Sequence, residues 1–273
     1  MTSTSKFQYQ CATCGKTWQQ NQVLYLCPNC SKENNNNTPP KGVLKAVYNY
    51  QPNEVPDSCS LSMPMMKFEE LQMNQFIDLL PIKSSESLPK LKIGNTPLYK
   101  YNQLDGDKLP FELYLKDDSQ NPTYSFKDRA SSIVSAYAKE KGFDTIVAAS
   151  TGNAGSSLAG ICAAQGQKAI ILVPETAPLA KLTQIIMYGA TLIPIKGTYD
   201  DAFDLSVKAS EEFGWYNRNT AYNPLTIEGK KRLLLNYLSN WITKYQTEYL
   251  SLLAMVLSFR VFTKALKICL IWE

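Results

Sequence analysis

Histidine is absent from this 273-residue sequence, which excludes any mechanism that needs a histidine base or a histidine metal ligand. Proton transfer must then fall to Lys, Asp, Glu, Tyr, Cys or a cofactor. The net charge is also small, because 28 Lys+Arg residues and 24 Asp+Glu residues leave a formal charge of +4. An excess so small and dispersed argues against a nucleic-acid partner.

The N-terminus lacks the apolar run of a signal peptide, since it reads MTSTSKFQYQ. We therefore expect a cytoplasmic protein without a membrane partner, in a compartment where thiols stay reduced. Hydrophobic residues make up 44% and charged residues 19%, as is typical of a soluble globular protein. The length is sufficient for one or two domains.

Two C-x-x-C pairs, CATC and CPNC, lie near the N-terminus. They supply Cys11, Cys14, Cys27 and Cys30. Two such turns can direct four thiolates at one ion, so the spacing predicts a structural zinc ribbon with no open position for catalysis. The alternatives are two disulfides, which fit a reducing compartment poorly, or a decayed ribbon. The other cysteines have no partner spacing and are expected to be incidental: Cys59, Cys162 and Cys269.

The run NNNNTPPKG (34–42) is polar and turn-rich and predicts a linker. We expect a ribbon with its linker over 1–40 and a catalytic region over 41–248. From Ser125 onwards the pattern alternates between helix and strand. Strands are predicted over 144–150, 168–174 and 190–196. Four helices are predicted: one from Ser125, one after the STGNAG turn, one over 178–188 and one over 199–213. This order predicts an α/β fold with a parallel sheet.

Ser125 is a candidate helix cap, with Asp128 as its capping-box partner. Lys127 then stands in the first helical turn, where a lysine can bond to an aldehyde. The alternative to a reactive amine is an ordinary solvated lysine.

A second loop, STGNAG (150–155), joins a predicted strand to a helix. Gly152 and Gly155 would let the backbone approach a ligand, and the helix start suits a carboxylate or phosphate. The alternative to a ligand-binding loop is a helix cap with close helix–strand packing. Ligands of such sheets bind where strands end and helices begin, so both loops are site candidates.

These residues resemble a known family. NPTYSFKDR (121–129) is similar to the N-P-T-x-S-F-K-D-R motif of threonine synthases, which are fold-type II pyridoxal-phosphate (PLP) enzymes. Further segments match in order and spacing: IGNTPLYKYNQL, LYLKDDSQ, AASTGNAGSS, ILVPETAPLAKLTQIIMYGA, GTYDDAF and NPLTIEGKK. The resemblance covers about residues 8–245. It implies the tryptophan synthase β-like α/β fold, a parallel sheet with flanking helices, incomplete at the C-terminus and preceded by the ribbon.

The resemblance also implies the site. Lys127 would hold PLP covalently, with Phe126 beside it and Asn153 bonded to the phenolic oxygen of the cofactor. The substrate carboxylate would be received by Ser150, Thr151, Gly152 and Asn153. The family reaction converts O-phospho-L-homoserine and water to L-threonine and phosphate, and family members often form homodimers. Tyr124 departs from the family, because glycine is common at that position.

Two alternatives stay open. One is another fold-type II lyase, such as a threonine or serine dehydratase or a cysteate synthase. The other is a non-catalytic zinc-ribbon scaffold.

The last residues, 249–273, fall outside the resemblance. Permitted codons for this tail, shifted back by one nucleotide, can encode FIPVGDGVIFQGIYKGFKDLFNMG. That string resembles the family's next segment, a glycine loop that cradles the cofactor phosphate. We therefore expect a frameshift near residue 248 and a truncated, poorly active product.

Overall fold

The computed structural model describes residues 5–34, 40–48 and 69–244. The predicted out-of-frame tail (249–273), most of the predicted linker, Cys59 and Cys269 lie outside the described residues.

Three antiparallel strands form the N-terminal sheet, in the order β2-β1-β3. They are β1 (Phe7–Cys11), β2 (Thr17–Trp18) and β3 (Leu44–Tyr48). Residues alternate between buried and half-buried along β1, as expected for a strand with one face in a core. Because β3 follows the predicted linker yet pairs with β1, this sheet takes strands from both sides of residue 40. The division at that residue stays a prediction.

A two-stranded antiparallel hairpin comes next, formed by β4 (Leu98–Leu104) and β5 (Asp107–Lys116). Its turn contains Asp105 at φ 55° and Gly106 at φ 93°. Positive φ at both central turn residues matches the right-handed twist of hairpin strands.

The main sheet has four parallel strands in the order β8-β7-β6-β9. The strands are β6 (Thr145–Ala149), β7 (Lys168–Pro174), β8 (Thr191–Ile195) and β9 (Tyr216–Asn217). The helices are α1 (Lys127–Glu140), α2 (Asn153–Gln165), α3 (Leu179–Met187), α4 (Tyr199–Phe213) and α5 (Leu225–Lys244). The predicted α/β order is confirmed, and β7 and α4 have the predicted bounds.

Side chains of the central strands alternate between two apolar layers. Ile146 and Ala148 pack into the large core shared with α1 and α2, whereas Val147 and Ala149 face Ala202 of α4. Burial on both faces is what a parallel sheet requires. Because β6 and β9 are parallel neighbours, their carboxyl ends lie at the same edge of this sheet.

The predicted capping box at the start of α1 is wrong. Ser125 Oγ does accept a hydrogen bond from a helix amide, that of Lys127, at 3.1 Å. The carboxylate of Asp128, however, accepts from the backbone and side chain of Thr123 instead. The preceding turn offers Asp128 two donors, which outcompete the single cap amide.

The ribbon sheet packs against the main body through one continuous core. The Tyr48 hydroxyl donates to Glu228 Oε2 of α5 at 2.7 Å. The Tyr25 ring stacks on Tyr222 with centroids 4.6 Å apart. None of the helices within the described ranges is long and apolar enough to cross a membrane.

Candidate active site and metal site

Asn121 stabilises the turn before α1 through two hydrogen bonds. Its Oδ1 accepts from the Gly94 amide at 2.9 Å, and its carbonyl accepts from the Tyr124 amide at 2.8 Å. Tyr124 has φ 60° and a side chain that is 75% exposed. This left-handed conformation suits glycine best, which accounts for the glycine common in the family. Tyr124 therefore adds a large side chain at the mouth of the site.

Asp128 also stabilises the turn before α1. It is fully buried and accepts from the Thr123 amide at 2.8 Å. Burial raises the pKa of Asp128, while hydrogen bonds from Thr123 and Ser157 act in the opposite direction. Sequence reasoning gave Asp128 the wrong partner, Ser125 instead of Thr123.

Lys127 is the first residue of α1 and is half-buried. Its Nζ lies 5.7 Å from the centre of the Phe126 ring. Arg129, fully buried two residues later, forms a bidentate pair with Asp118 at 2.6 and 2.8 Å. Such paired hydrogen bonds fix geometry as well as energy. The backbone beneath Lys127 is thus anchored, while the lysine side chain stands at the end of the helix.

The Ser150–Gly155 loop is organised by its own serine. Ser150 Oγ accepts from the amides of Gly152 and Gly155 at 3.3 and 3.0 Å. A Cβ added at Gly152 would meet nothing within 4 Å, whereas one at Gly155 would come within 2.8 Å of the Ser150 carbonyl oxygen. Gly152 thus leaves open space for a ligand. At Gly155 the structure agrees with the packing alternative, and a ligand role for this glycine stays a prediction.

The remaining predicted residues of this loop are accessible. Thr151 is half-buried and Asn153 is exposed. Asn153 begins α2, so its amide lies at the positive end of the helix dipole. In the part of the chain that the structure describes, the amides of Thr151, Asn153 and Ala154 have no hydrogen-bond acceptor. These donors could receive a carboxylate.

Helices α1 and α2 bring the two loops together. Ser131 lies one turn after Lys127, and Ser157 lies one turn after Asn153. Their hydroxyls form a hydrogen bond of 2.8 Å. Residues four apart lie on the same face of a helix. Lys127 and Asn153 therefore lie on the faces of α1 and α2 that this hydrogen bond joins.

Arg218 contacts Ser131 of this pair and was not predicted from the sequence. It follows β9, is 1% exposed, and donates from Nε to Ser131 at 3.3 Å. Burial lowers its pKa to about 10, so it stays charged at neutral pH. A buried cation here favours anionic groups nearby.

The four predicted metal ligands converge. Their Sγ atoms all lie within 4.8 Å of one another, and the Cys11–Cys30 and Cys14–Cys27 pairs are each 3.9 Å apart. Four sulfurs placed about 2.3 Å from one zinc ion are roughly 3.8 Å apart. Burial acts to raise the pKa of Cys11, but hydrogen bonds from the amides of Cys14 and Thr13 lower it to about 7. The cluster thus has the geometry of a tetrahedral four-thiolate site.

The site combines a lysine at the start of a helix with a glycine loop at the carboxyl edge of a parallel sheet, as expected of the PLP enzymes that the sequence resembles. Residues 90–241 match the family model described as "Pyridoxal-phosphate dependent enzyme". This match spans more than half of the chain, so the chain belongs to that family. The residues fit the cofactor, since Lys127 is accessible and the backbone at Gly152 is open.

Within the family, the chain is similar to threonine synthases. It is 35% identical to that of Methanocaldococcus jannaschii over 225 residues, covering 82% of this chain and 52% of the relative. It is 38% identical to that of Halalkalibacterium halodurans over 162 residues, covering 58% and 45%. The chain thus spans about half the length of these curated relatives. Among solved structures, O-ureido-L-serine synthase aligns with 47% of this chain and 43% of its own at 29% identity and a TM-score of 0.43.

Proposed function

We propose that the chain carries the N-terminal part of a threonine synthase, which converts O-phospho-L-homoserine and water to L-threonine and phosphate. The observation that carries the proposal is Lys127, a half-buried amine at the start of α1 within NPTYSFKDR. The similarity to curated threonine synthases supports the substrate.

The proposed roles are those that the family resemblance implies for residues of the two loops. The Lys127 amine would hold the cofactor and would move protons at Cα and Cβ of the substrate, which suits a chain without histidine. Phe126 lies beside this amine, and Asn153 would hydrogen-bond the phenolic oxygen of the bound cofactor. Bound PLP supplies an electron sink for carbanions.

The substrate carboxylate is assigned to the loop of Ser150, Thr151, Gly152 and Asn153. Open space at Gly152 and the donors at the start of α2 support this assignment. Ser150 contributes through loop shape, because its hydroxyl already accepts from two loop amides.

The test is phosphate release and threonine formation from O-phospho-L-homoserine by PLP-loaded protein. Serine, threonine and O-phosphoserine are assayed in parallel, because turnover of one of these instead would favour a dehydratase or a cysteate synthase. Lys127→Ala should abolish turnover and the visible absorbance of bound cofactor. Lys141→Ala, an exposed lysine at the other end of α1, is the matched control and should retain both. Cofactor binding that survives Lys127→Ala unchanged would contradict the assigned role.

We also propose that the cysteine cluster binds structural zinc. Elemental analysis of freshly purified protein should give one zinc per chain, and Cys27→Ser should lower zinc retention. Protein free of zinc that keeps its fold would contradict this. The homodimer, the cytoplasmic location and the lack of nucleic-acid and membrane partners stay predictions.

A further inference from the structure

Tyr25 of the ribbon makes a hydrogen bond to the edge strand of the main sheet. Strand β9 pairs with β6 on one side only among the described strands. There, the Arg218 amide donates to the Val147 carbonyl at 2.8 Å. The next amide back, that of Asn217, points away from β6 and donates to the Tyr25 hydroxyl at 2.7 Å. Tyr25 thus satisfies a buried edge amide that would otherwise lack an acceptor.

The position of Tyr25 is fixed from the ribbon side. It lies two residues before Cys27, whose Sγ belongs to the metal site. The Cys27 amide donates to the Gly42 carbonyl at 2.8 Å, which ties this knuckle to the strand that follows. On the other side, the ring stacks on Tyr222 at 4.6 Å and contacts Tyr216 at 5.7 Å. Tyr25 is therefore held between the metal knuckle and the segment around β9.

From Asn217 the hydrogen bonds continue to the substrate loop. The Asn217 side-chain oxygen accepts from the Asn219 amide at 2.8 Å. The Asn219 side-chain oxygen accepts from the Ala149 amide at 2.8 Å. Ala149 is the last residue of β6, directly before Ser150. Both asparagines are no more than 2% exposed, so water does not compete for these bonds.

We propose that Tyr25 is a positioning residue that couples the ribbon metal site to the order of the Ser150–Asn153 loop. The coupling runs through Asn217 and Asn219 to the end of β6. The significance for substrate binding rests on the proposed function, but the coupling itself can be measured without any assay of the reaction.

The experiment compares amide hydrogen exchange in full-length zinc-loaded wild type, Tyr25→Phe and Tyr222→Phe. Tyr25→Phe keeps the stacked ring and removes only the acceptor. Tyr222→Phe removes a hydroxyl that makes none of these bonds and is the matched control. We expect the Asn217 and Ala149 amides to exchange about tenfold faster in Tyr25→Phe, as for the loss of one buried hydrogen bond. The control should stay within about twofold of wild type. Equal exchange in the two variants would overturn the proposal.

A second arm removes the metal ion instead of the hydrogen-bond acceptor. Zinc is removed from wild type with a chelator, and exchange at Ala149 is followed. We expect an acceleration of about tenfold in wild type and a much smaller one when Tyr25→Phe is treated in the same way. An equal acceleration in both would mean that the ribbon acts on the fold as a whole, and would overturn the specific role of Tyr25. Protein that never retains zinc would contradict the metal assignment and would overturn the proposed coupling with it.

Discussion

Gly229→Ala tests how closely α5 supports the helix that begins with Lys127. A Cβ at Gly229 would lie 2.3 Å from the Arg129 carbonyl oxygen and 2.6 Å from the Ala130 Cα. Both obstacles are backbone atoms of α1, which cannot rotate out of the way. Ordinary contacts begin at 3.4 Å, so the two helix backbones would have to separate by roughly 1 Å.

The magnitude follows from two opposing effects. Overpacking costs about 1–3 kcal/mol and occasionally more, and a rigid backbone obstacle belongs at the upper end of that range. Alanine regains about 1 kcal/mol through its helix propensity. The expected net loss is therefore about 2 kcal/mol of unfolding free energy, or a melting temperature lower by about 4–8 °C.

The assay is urea and thermal unfolding followed by far-ultraviolet circular dichroism. Gly152→Ala is the matched control, since its Cβ would meet nothing within 4 Å and its φ is −136°. Its cost should stay below about 1 kcal/mol, as for a change of helix cap. Because Arg129 lies two residues from Lys127, Gly229→Ala should also weaken cofactor binding. A Gly229→Ala protein as stable as wild type would refute the close packing of α1 against α5.

Two further predictions concern the loop and the buried ion pair. Gly155→Ala, whose Cβ would lie 2.8 Å from the Ser150 carbonyl oxygen, should cost about 1–2 kcal/mol in urea unfolding; a neutral effect would contradict this close packing. Burial opposes ionisation of Asp118, but hydrogen bonds from Arg129 hold its pKa below the ordinary value. Its stabilising effect is therefore present above pH about 4 and is lost as pH falls through the lowered pKa. Asp118→Asn should cost about 3–5 kcal/mol at pH 7, and the difference from wild type should shrink in unfolding measured below pH about 4. A difference that stays constant with pH would contradict the ion pair.

Local patterns predicted the regular part of this fold well. Strand β7 and helix α4 have their predicted bounds because apolar spacing and glycine stops carry that information along the chain. Gly166 and Gly214 end α2 and α4 with φ of 70° and 66°, a conformation that glycine adopts without strain. The four cysteines converge as their spacing predicted.

The residues that sequence reasoning missed depend on contacts between distant segments. Asp128 bonds Thr123 instead of closing a capping box, and Asn219 holds the end of β6. Strand β3 joins the ribbon from beyond the predicted linker. None of these contacts has a period or a fixed spacing, so only the three-dimensional structure could identify them.

The most direct measurement is to identify the residue that carries the cofactor. PLP-loaded protein is reduced with borohydride, digested, and analysed by peptide mass spectrometry. The account predicts a pyridoxyl group on Lys127 alone, absent from Lys127→Ala and present in Lys141→Ala. A protein that binds PLP but carries the group on another lysine, or that cannot be labelled by reduction, would contradict the central claim.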